Sequence, residues 1–155
     1  IMATRMNAEF IRHALGSRCT DPVVTDPTAD FAFSGRVLVA AGWKPGFSTD
    51  FDSVVLAERF GARTVVNLSN IERVYTADPK KTPDAKPLDT ISWSDFRGLV
   101  GSTWDPGSNL PFDPVASKRA QELGLRVVAA GGRDLSNVAK ILRGEPFVGT
   151  EIGPE

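Results

Sequence analysis

Cysteine, histidine and tyrosine each occur once in the 155 residues, as Cys19, His13 and Tyr75. One cysteine forms no intrachain disulfide, and one cysteine with one histidine cannot build a conventional zinc site. A reducing, cytoplasmic setting is therefore expected. Charge of one sign is missing as well: 18 basic against 19 acidic residues leave a formal net charge of −1. No bulk field draws such a chain toward nucleic acid or an anionic membrane, so any phosphate must be held by local groups. Long apolar runs are absent. The longest, near residues 37–41, falls far short of a membrane span, and no leader pattern, internal repeat or low-complexity tract is visible.

What is present, 41% hydrophobic and 24% charged residues, suffices for one core and predicts a single domain over residues 1–155. Ile1 opens directly on a helical pattern with no capping residue before it, so the chain is expected to begin inside an element, as a fragment or a processed product.

One stretch organises the rest. Gly42-Trp43-Lys44-Pro45-Gly46-Phe47-Ser48-Thr49-Asp50 follows an apolar run and precedes a helical pattern over 51–60. Its glycines let backbone approach a ligand closely, while Ser48, Thr49 and Asp50 are all candidate helix caps. The unpaired N–H groups and dipole at that helix start attract an anion, although glycine loops before helices are also ordinary turns.

Along the chain, Met2, Met6, Phe10, Ile11, Ala14 and Leu15 recur at helical spacing, with Gly16 as the stop and Arg5, Asn7, Glu9 and Arg12 on a solvated face. Val23-Val24-Thr25 between Pro22 and Pro27 allows a short strand. Arg36-Val37-Leu38-Val39-Ala40-Ala41 and Thr64-Val65-Val66-Asn67-Leu68 read as buried parallel strands around the 51–60 helix, a right-handed βαβ unit. Ligands bind beyond the carboxyl ends of such strands, which is expected to set the 42–50 loop beside the polar, proline-broken segment after Leu68. There Ser69, Asn70, Tyr75 and Asp78 are candidate nucleotide contacts: Tyr75 offers a flat face to a base, and Asp78 a carboxylate to a ribose or near magnesium. Ser92 with Asp95 resembles a capping box ahead of Trp93, Phe96, Leu99 and Val100. A second polar glycine loop, Gly107-Ser108-Asn109, leads to Asp113 as the cap and Pro114 as the first residue of a helix over 115–123. Residues 125–130 read as a strand, Asp134 as the cap of a helix over 135–142, and 147–152 as a final edge strand.

Taken together, Pro45-Gly46-Phe47-Ser48-Thr49-Asp50, Val74-Tyr75-Thr76-Ala77-Asp78-Pro79 and Gly107-Ser108-Asn109 with Pro111-Phe112-Asp113-Pro114 closely resemble the uridylate (UMP) kinases of the amino-acid kinase superfamily. Gly149-Thr150-Glu151-Ile152 and Ala3-Thr4-Arg5-Met6-Asn7-Ala8 fit as well. The resemblance implies a three-layer αβα sandwich with a mainly parallel sheet, and ATP-dependent phosphorylation of UMP to UDP with magnesium, in pyrimidine nucleotide biosynthesis. It also implies that Gly42, Trp43, Lys44, Pro45, Gly46, Phe47, Ser48 and Thr49 line the UMP site, and that Ser69, Asn70, Tyr75 and Asp78 line the ATP site. Asp50 and Asp113 match acidic positions near the transferring phosphoryl. Hexamers built from dimers are common in that family.

Two other readings stand beside the kinase: a nucleotide-binding storage or regulatory protein on the same fold, like the molybdenum-storage proteins, and a superfamily kinase for another acceptor. The family's amino-terminal portion, with a first glycine-rich phosphate loop, a lysine and an aspartate for the UMP ribose, has no counterpart in these residues. Asp105-Pro106 stands where some relatives carry a lysine, which leaves the basic catalytic group open. Without those parts the transferring charge is poorly neutralised, so the 155-residue chain alone is expected to be inactive or nearly so. UMP-dependent turnover by the isolated chain would contradict that expectation.

Overall fold

The computed structural model describes residues 1–103 and 110–153. The chain divides into two compact units, Ile1–Leu56 and Ala57–Glu155.

In the first unit, α1 (Met2–Leu15) starts after Ile1 without a side-chain cap and ends at Gly16, whose φ of 54° lies in the region that favours glycine. The helix is where its periodicity placed it, with Asn7 and Glu9 solvated and Leu15 packed as expected, but the rest of its packed side is shifted. Met2, Met6 and Phe10 are exposed, whereas Ala8 is buried and Thr4, Arg5, Arg12 and Leu15 are partly covered. The reason is what lies against the helix. Small Ala8 admits Cys19, Val39 and Ala41, while Thr4 and Arg5 meet polar backbone atoms of the chain at 42–43. Hydrophobic spacing marks a stripe, but here polar complementarity chose the buried side.

The two strands expected at 23–25 and 36–41 reduce to one parallel bridge, Val24 with Ala40. Val24 N–H donates to Val39 O at 3.0 Å and Ala41 N–H to Val24 O at 2.8 Å. Pro22 and Pro27, which have no N–H to donate, leave too little chain between them for a longer ladder. The first strand of the expected βαβ unit is thus a single extended contact. Helix α2 (Thr49–Phe60) follows, with Val54 fully buried.

The second unit is built on a four-stranded sheet of order β1-β5-β6-β4, where β1 is Thr64–Ser69, β4 Thr90–Ser92, β5 Arg126–Gly131 and β6 Thr150–Gly153. β1 with β5 and β4 with β6 pair in parallel; β5 with β6 is antiparallel. The final strand is therefore interior rather than an edge, because Thr90-Ile91-Ser92, not expected as a strand, covers its outer side. Thr150 and Ile152 are accordingly inaccessible. Helix α3 (Trp93–Val100) begins on Ser92, whose Oγ accepts from Asp95 N–H, and buries Trp93 and Phe96, while Leu99 stays exposed. The Trp93 indole donates to Leu125 O at 2.8 Å. Helices α4 (Pro114–Glu122) and α5 (Leu135–Arg143) complete the unit, and Val128, Ala130 and Ile141 pack with Val66 and Phe147.

The polar segment after β1 is not structureless. It contains the short antiparallel pair β2 (Val74–Tyr75) and β3 (Pro87–Leu88). Thr150 joins this pair to the sheet: its Oγ1 accepts from Val74 N–H at 2.8 Å and donates to Leu88 O at 2.5 Å. Gly149 beside it has no room for a side chain, since a Cβ would sit 2.9 Å from Ala129 O. Thr150→Val keeps the volume but strands one donor and one acceptor, so we expect urea unfolding of the chain to show a loss of about 2–4 kcal/mol. A loss below about 0.5 kcal/mol would show that the hydroxyl does not hold the pair.

Candidate functional site

In the first unit the glycine loop delivers a small set of held and exposed groups. Ser48 is the residue that caps α2: its Oγ accepts from Phe51 N–H at 3.1 Å and its carbonyl from Asp52 N–H at 3.1 Å. Thr49 is the first helical residue, and its carbonyl accepts from Ser53 Oγ. Asp50 follows in the first turn. Gly46 has a φ of 91°, which allows the chain to reverse between Pro45 and Phe47. Gly42 N–H donates to Thr4 Oγ1, and a Cβ at Gly42 would lie 3.0 Å from that oxygen. The Trp43, Phe47 and Phe51 rings stack in sequence, with centroids 4.6 and 5.2 Å apart. The Lys44 ammonium lies over the first two rings, 3.9 and 5.1 Å from their centroids. Lys44, Pro45, Gly46, Phe47 and Thr49 are exposed.

The pattern of motifs missed Asp52. Only 4% exposed, it accepts the Trp43 N–H on Oδ2 at 3.0 Å, while its Oδ1 is buried without a hydrogen-bond partner. Burial pushes its pKa up; the Trp43 N–H opposes the rise and the Asp26 charge adds to it. The one available signal was its place on α2 a turn before Leu56, a polar residue on the packed stripe.

In the second unit, Ser69 and Asn70 come together with Gly131 and Arg133 at the carboxyl ends of the adjacent strands β1 and β5. With Glu72, Asp134, Asn137 and Val148 they line a cavity of about 450 Å³. Ser69 Oγ accepts from Ile71 N–H, and Ser69 O from Gly132 N–H at 2.9 Å. Asp134 caps α5 through Ser136 N–H and Asn137 N–H, and its pKa is lowered chiefly by the Ser136 hydroxyl. The Asn137 side chain exchanges two hydrogen bonds with the Val148 backbone. Gly131, Arg133 and Asn137 were not foreseen as site residues, although Gly131-Gly132 after a buried strand was visible.

Tyr75 and Asp78 line neither this cavity nor a larger one of about 670 Å³ bordered by Thr76, Thr90, Ser92 and Glu151. Tyr75 is half-buried opposite Pro87, and Asp78 is exposed, accepting from Lys80 N–H on Oδ1 and from Lys81 and Thr82 N–H on its carbonyl. Asp113 is 4% exposed and is the cap of α4, with Oδ1 accepting from Val115 N–H at 2.6 Å and Ala116 N–H at 2.9 Å. Asp105, Pro106, Gly107, Ser108 and Asn109 lie outside the described residues.

The carboxylates imply opposite pH dependences. Asp21 is lowered by the Gly35 and Ser34 N–H groups, Asp26 by Thr28, and Asp134 by Ser136. Their stabilising contributions are present above the ordinary value of 3.8 and are lost as pH falls through the lowered folded values. Asp52, raised in the fold, binds its proton more tightly there; its contribution is complete below 3.8 and lost as pH rises through the raised folded value. Asn keeps an acceptor for Trp43 without the charge. We therefore expect Asp52→Asn to raise the urea midpoint at pH 7, with the gain shrinking toward pH 4; a gain that grows toward acid would contradict this assignment.

A family model, the Amino acid kinase family, matches residues 1–130. The chain belongs to that family. Among its relatives, the uridylate kinase of Methanospirillum hungatei is 37% identical over 155 residues, and that of Methanocorpusculum labreanum 36% over 157. These alignments take in 98% and 99% of this chain, which spans 66% of the length of each relative. The crystal structure of uridylate kinase from Archaeoglobus fulgidus superposes with a TM-score of 0.77 at 29% identity, covering 99% of this chain and 69% of that one. The α/β fold with its mainly parallel sheet is thus the amino-acid kinase fold. No helix among the described residues is long and apolar enough to cross a membrane.

Proposed function

We propose that the protein is a cytoplasmic nucleoside monophosphate kinase that transfers the γ-phosphoryl of ATP to UMP, giving UDP and ADP. The observation that carries this reading is the similarity of nearly the whole chain, in sequence and fold, to uridylate kinases. The exposed loop at 44–49 would take UMP. Ser48 accepts the Phe51 N–H, which leaves its own O–H to donate to a phosphate oxygen, and the exposed Thr49 hydroxyl and Lys44 ammonium stand in the same loop. Ser69 and Asn70, at the cavity beyond β1 and β5, would meet ATP, with Tyr75 and Asp78 serving its base and sugar. Phosphoryl transfer needs in-line placement and charge stabilisation rather than a covalent nucleophile, and the residues here are of the placing kind.

ATP would be bound as its magnesium complex. No cluster of three His, Cys, Asp or Glu side chains able to hold a metal occurs among the described residues, and magnesium in kinases is held largely by substrate phosphates with one or two carboxylates. By the family resemblance Asp50 and Asp113 each match an acidic position near the transferring phosphoryl, and the ion would neutralise charge on that group. The proposed assembly is a homo-oligomer.

The test is ADP formation from ATP and magnesium, with and without UMP, by the full product of the gene. UMP-dependent ADP is expected; tight ATP binding without acceptor-dependent turnover would favour a storage or regulatory protein. Asp113→Asn then isolates charge from capping, because Asn caps helices about as well as Asp. We expect kcat to fall at least roughly tenfold while KM for UMP changes less than about threefold. An unchanged kcat would leave Asp113 as a cap alone.

A further inference from the structure

Trp43 is tethered far more heavily than its neighbours in the exposed loop. Its N–H donates to Oδ2 of Asp52 on α2 at 3.0 Å, and its carbonyl accepts from Nη2 of Arg5 on α1 at 3.1 Å. The Asp26 carboxylate is held below its ordinary pKa chiefly by Thr28, and the Trp43 indole adds to that lowering. One residue earlier, Gly42 N–H is held by Thr4 on α1. Beyond Trp43 the exposed residues 44–47 begin, followed by Ser48 at the head of α2. The loop therefore has a clamped base and an open rim.

The clamp is built from charge where charge is costly. Asp52 Oδ1 and Arg5 Nε are both buried without a hydrogen-bond partner, so each ion is only partly compensated. For stability alone, a neutral or apolar pair would serve at least as well. Each ion instead supplies a hydrogen-bond partner to one Trp43 backbone atom, and these two bonds hold geometry. Holding both polar atoms of one residue fixes where the chain leaves Trp43, and hence where Lys44, Gly46 and Ser48 stand.

We infer that Asp52 and Arg5 are positioning residues, which grip Trp43 from α2 and α1 and so set the 44–49 loop for the acceptor nucleotide. The inference rests on the nucleotide-kinase reading above for its ligand, but not for the clamp itself. Fixing the loop in advance removes part of the ordering cost of binding, so the grip acts on acceptor affinity more than on the chemical step.

The experiment compares the full gene product with Asp52→Val, Asp52→Asn, Arg5→Met and Arg5→Lys. Two readouts are taken: hydrogen–deuterium exchange of peptides covering residues 42–48, and KM and kcat for UMP with calorimetric UMP binding. Asp52→Val and Arg5→Met are expected to speed exchange in 42–48 and to raise KM and Kd for UMP roughly tenfold, with kcat within about twofold. Asp52→Asn, which keeps an acceptor, is expected to restore both readouts. Arg5, half-buried near the start of α1, tests the clamp even where Asp52→Val fails to fold; Arg5→Lys is expected to fall between parent and Arg5→Met.

Unchanged exchange and KM in Asp52→Val and Arg5→Met would overturn the inference. So would Asp52→Asn behaving like Asp52→Val, since that would make the carboxylate charge itself, rather than its grip, the active element. If exchange separates the variants as expected but the parent binds no UMP, the clamp stands and the nucleotide reading fails. If UMP binds and turns over while exchange is indifferent to the variants, the kinase stands and the clamp fails.

Discussion

Backbone N–H groups that no strand or helix can satisfy are the constraint on which this structure turns. Strands here are two to six residues long, and long connections lie between them. Side-chain oxygens close the gaps. Ser48, Ser92, Asp113 and Asp134 cap four helices; Asp21 holds Ser34 and Gly35; Asp78 holds Lys80; Thr150 holds Val74; Asp52 holds Trp43. Buried backbone donors must find partners, and in a chain of short strands the acidic and hydroxyl residues become structural by necessity. The near balance of charge overall thus conceals a division of labour, in which many carboxylates face the backbone rather than a cation.

That division explains which parts of the structure were legible. Helices α3, α4 and α5 could be read because their caps are local: Ser92 with Asp95, Asp113 with Pro114, and Asp134 three residues before Asn137 satisfy donors within their own turn. The buried strands β1 and β5 were legible from unbroken apolar runs. What failed was partner choice across distance. Thr90-Ile91-Ser92 is too short and polar to announce a strand, and Ser92 was already spoken for as a cap, so β6 lost its inner place on paper. The shift of the packed side of α1 has the same origin: nothing near Thr4 or Arg5 in sequence shows that Gly42 and Trp43 will need them.

The candidate site divides along the same line. Ser48 and Asp113 were legible as caps because a cap before a helix is a local pattern, and the place of Ser69 and Asn70 was legible because they stand at the end of a buried strand. Asp52 was not found, since its acceptor role is set by Trp43, which reaches it by folding back rather than by helical spacing. Gly131 and Arg133 join the cavity of Ser69 and Asn70 only through the parallel register of β1 with β5, where Ser69 stands opposite Gly131. A one-residue slip in that register would turn every side chain of the slipped strand to the other face.

Capping and catalysis are sometimes treated as competing explanations for an aspartate, but for Asp113 they are compatible. Both cap bonds fall on Oδ1, from two successive N–H groups, and Phe112 and Pro114 on either side are buried. Those constraints fix the direction of the carboxylate plane. A group asked to act on a transferring phosphoryl must be held to within a fraction of an ångström, because misplacement by about 1 Å can cost two orders of magnitude in rate. A cap supplies that rigidity at no extra residue, because the bond the helix needs also fixes the carboxylate. The same economy holds at Ser48, whose Oγ is fixed at the head of α2 by the bond it accepts from Phe51 N–H. In this fold the places where the backbone demands a side-chain oxygen are therefore also the places where such an oxygen is held in a fixed position.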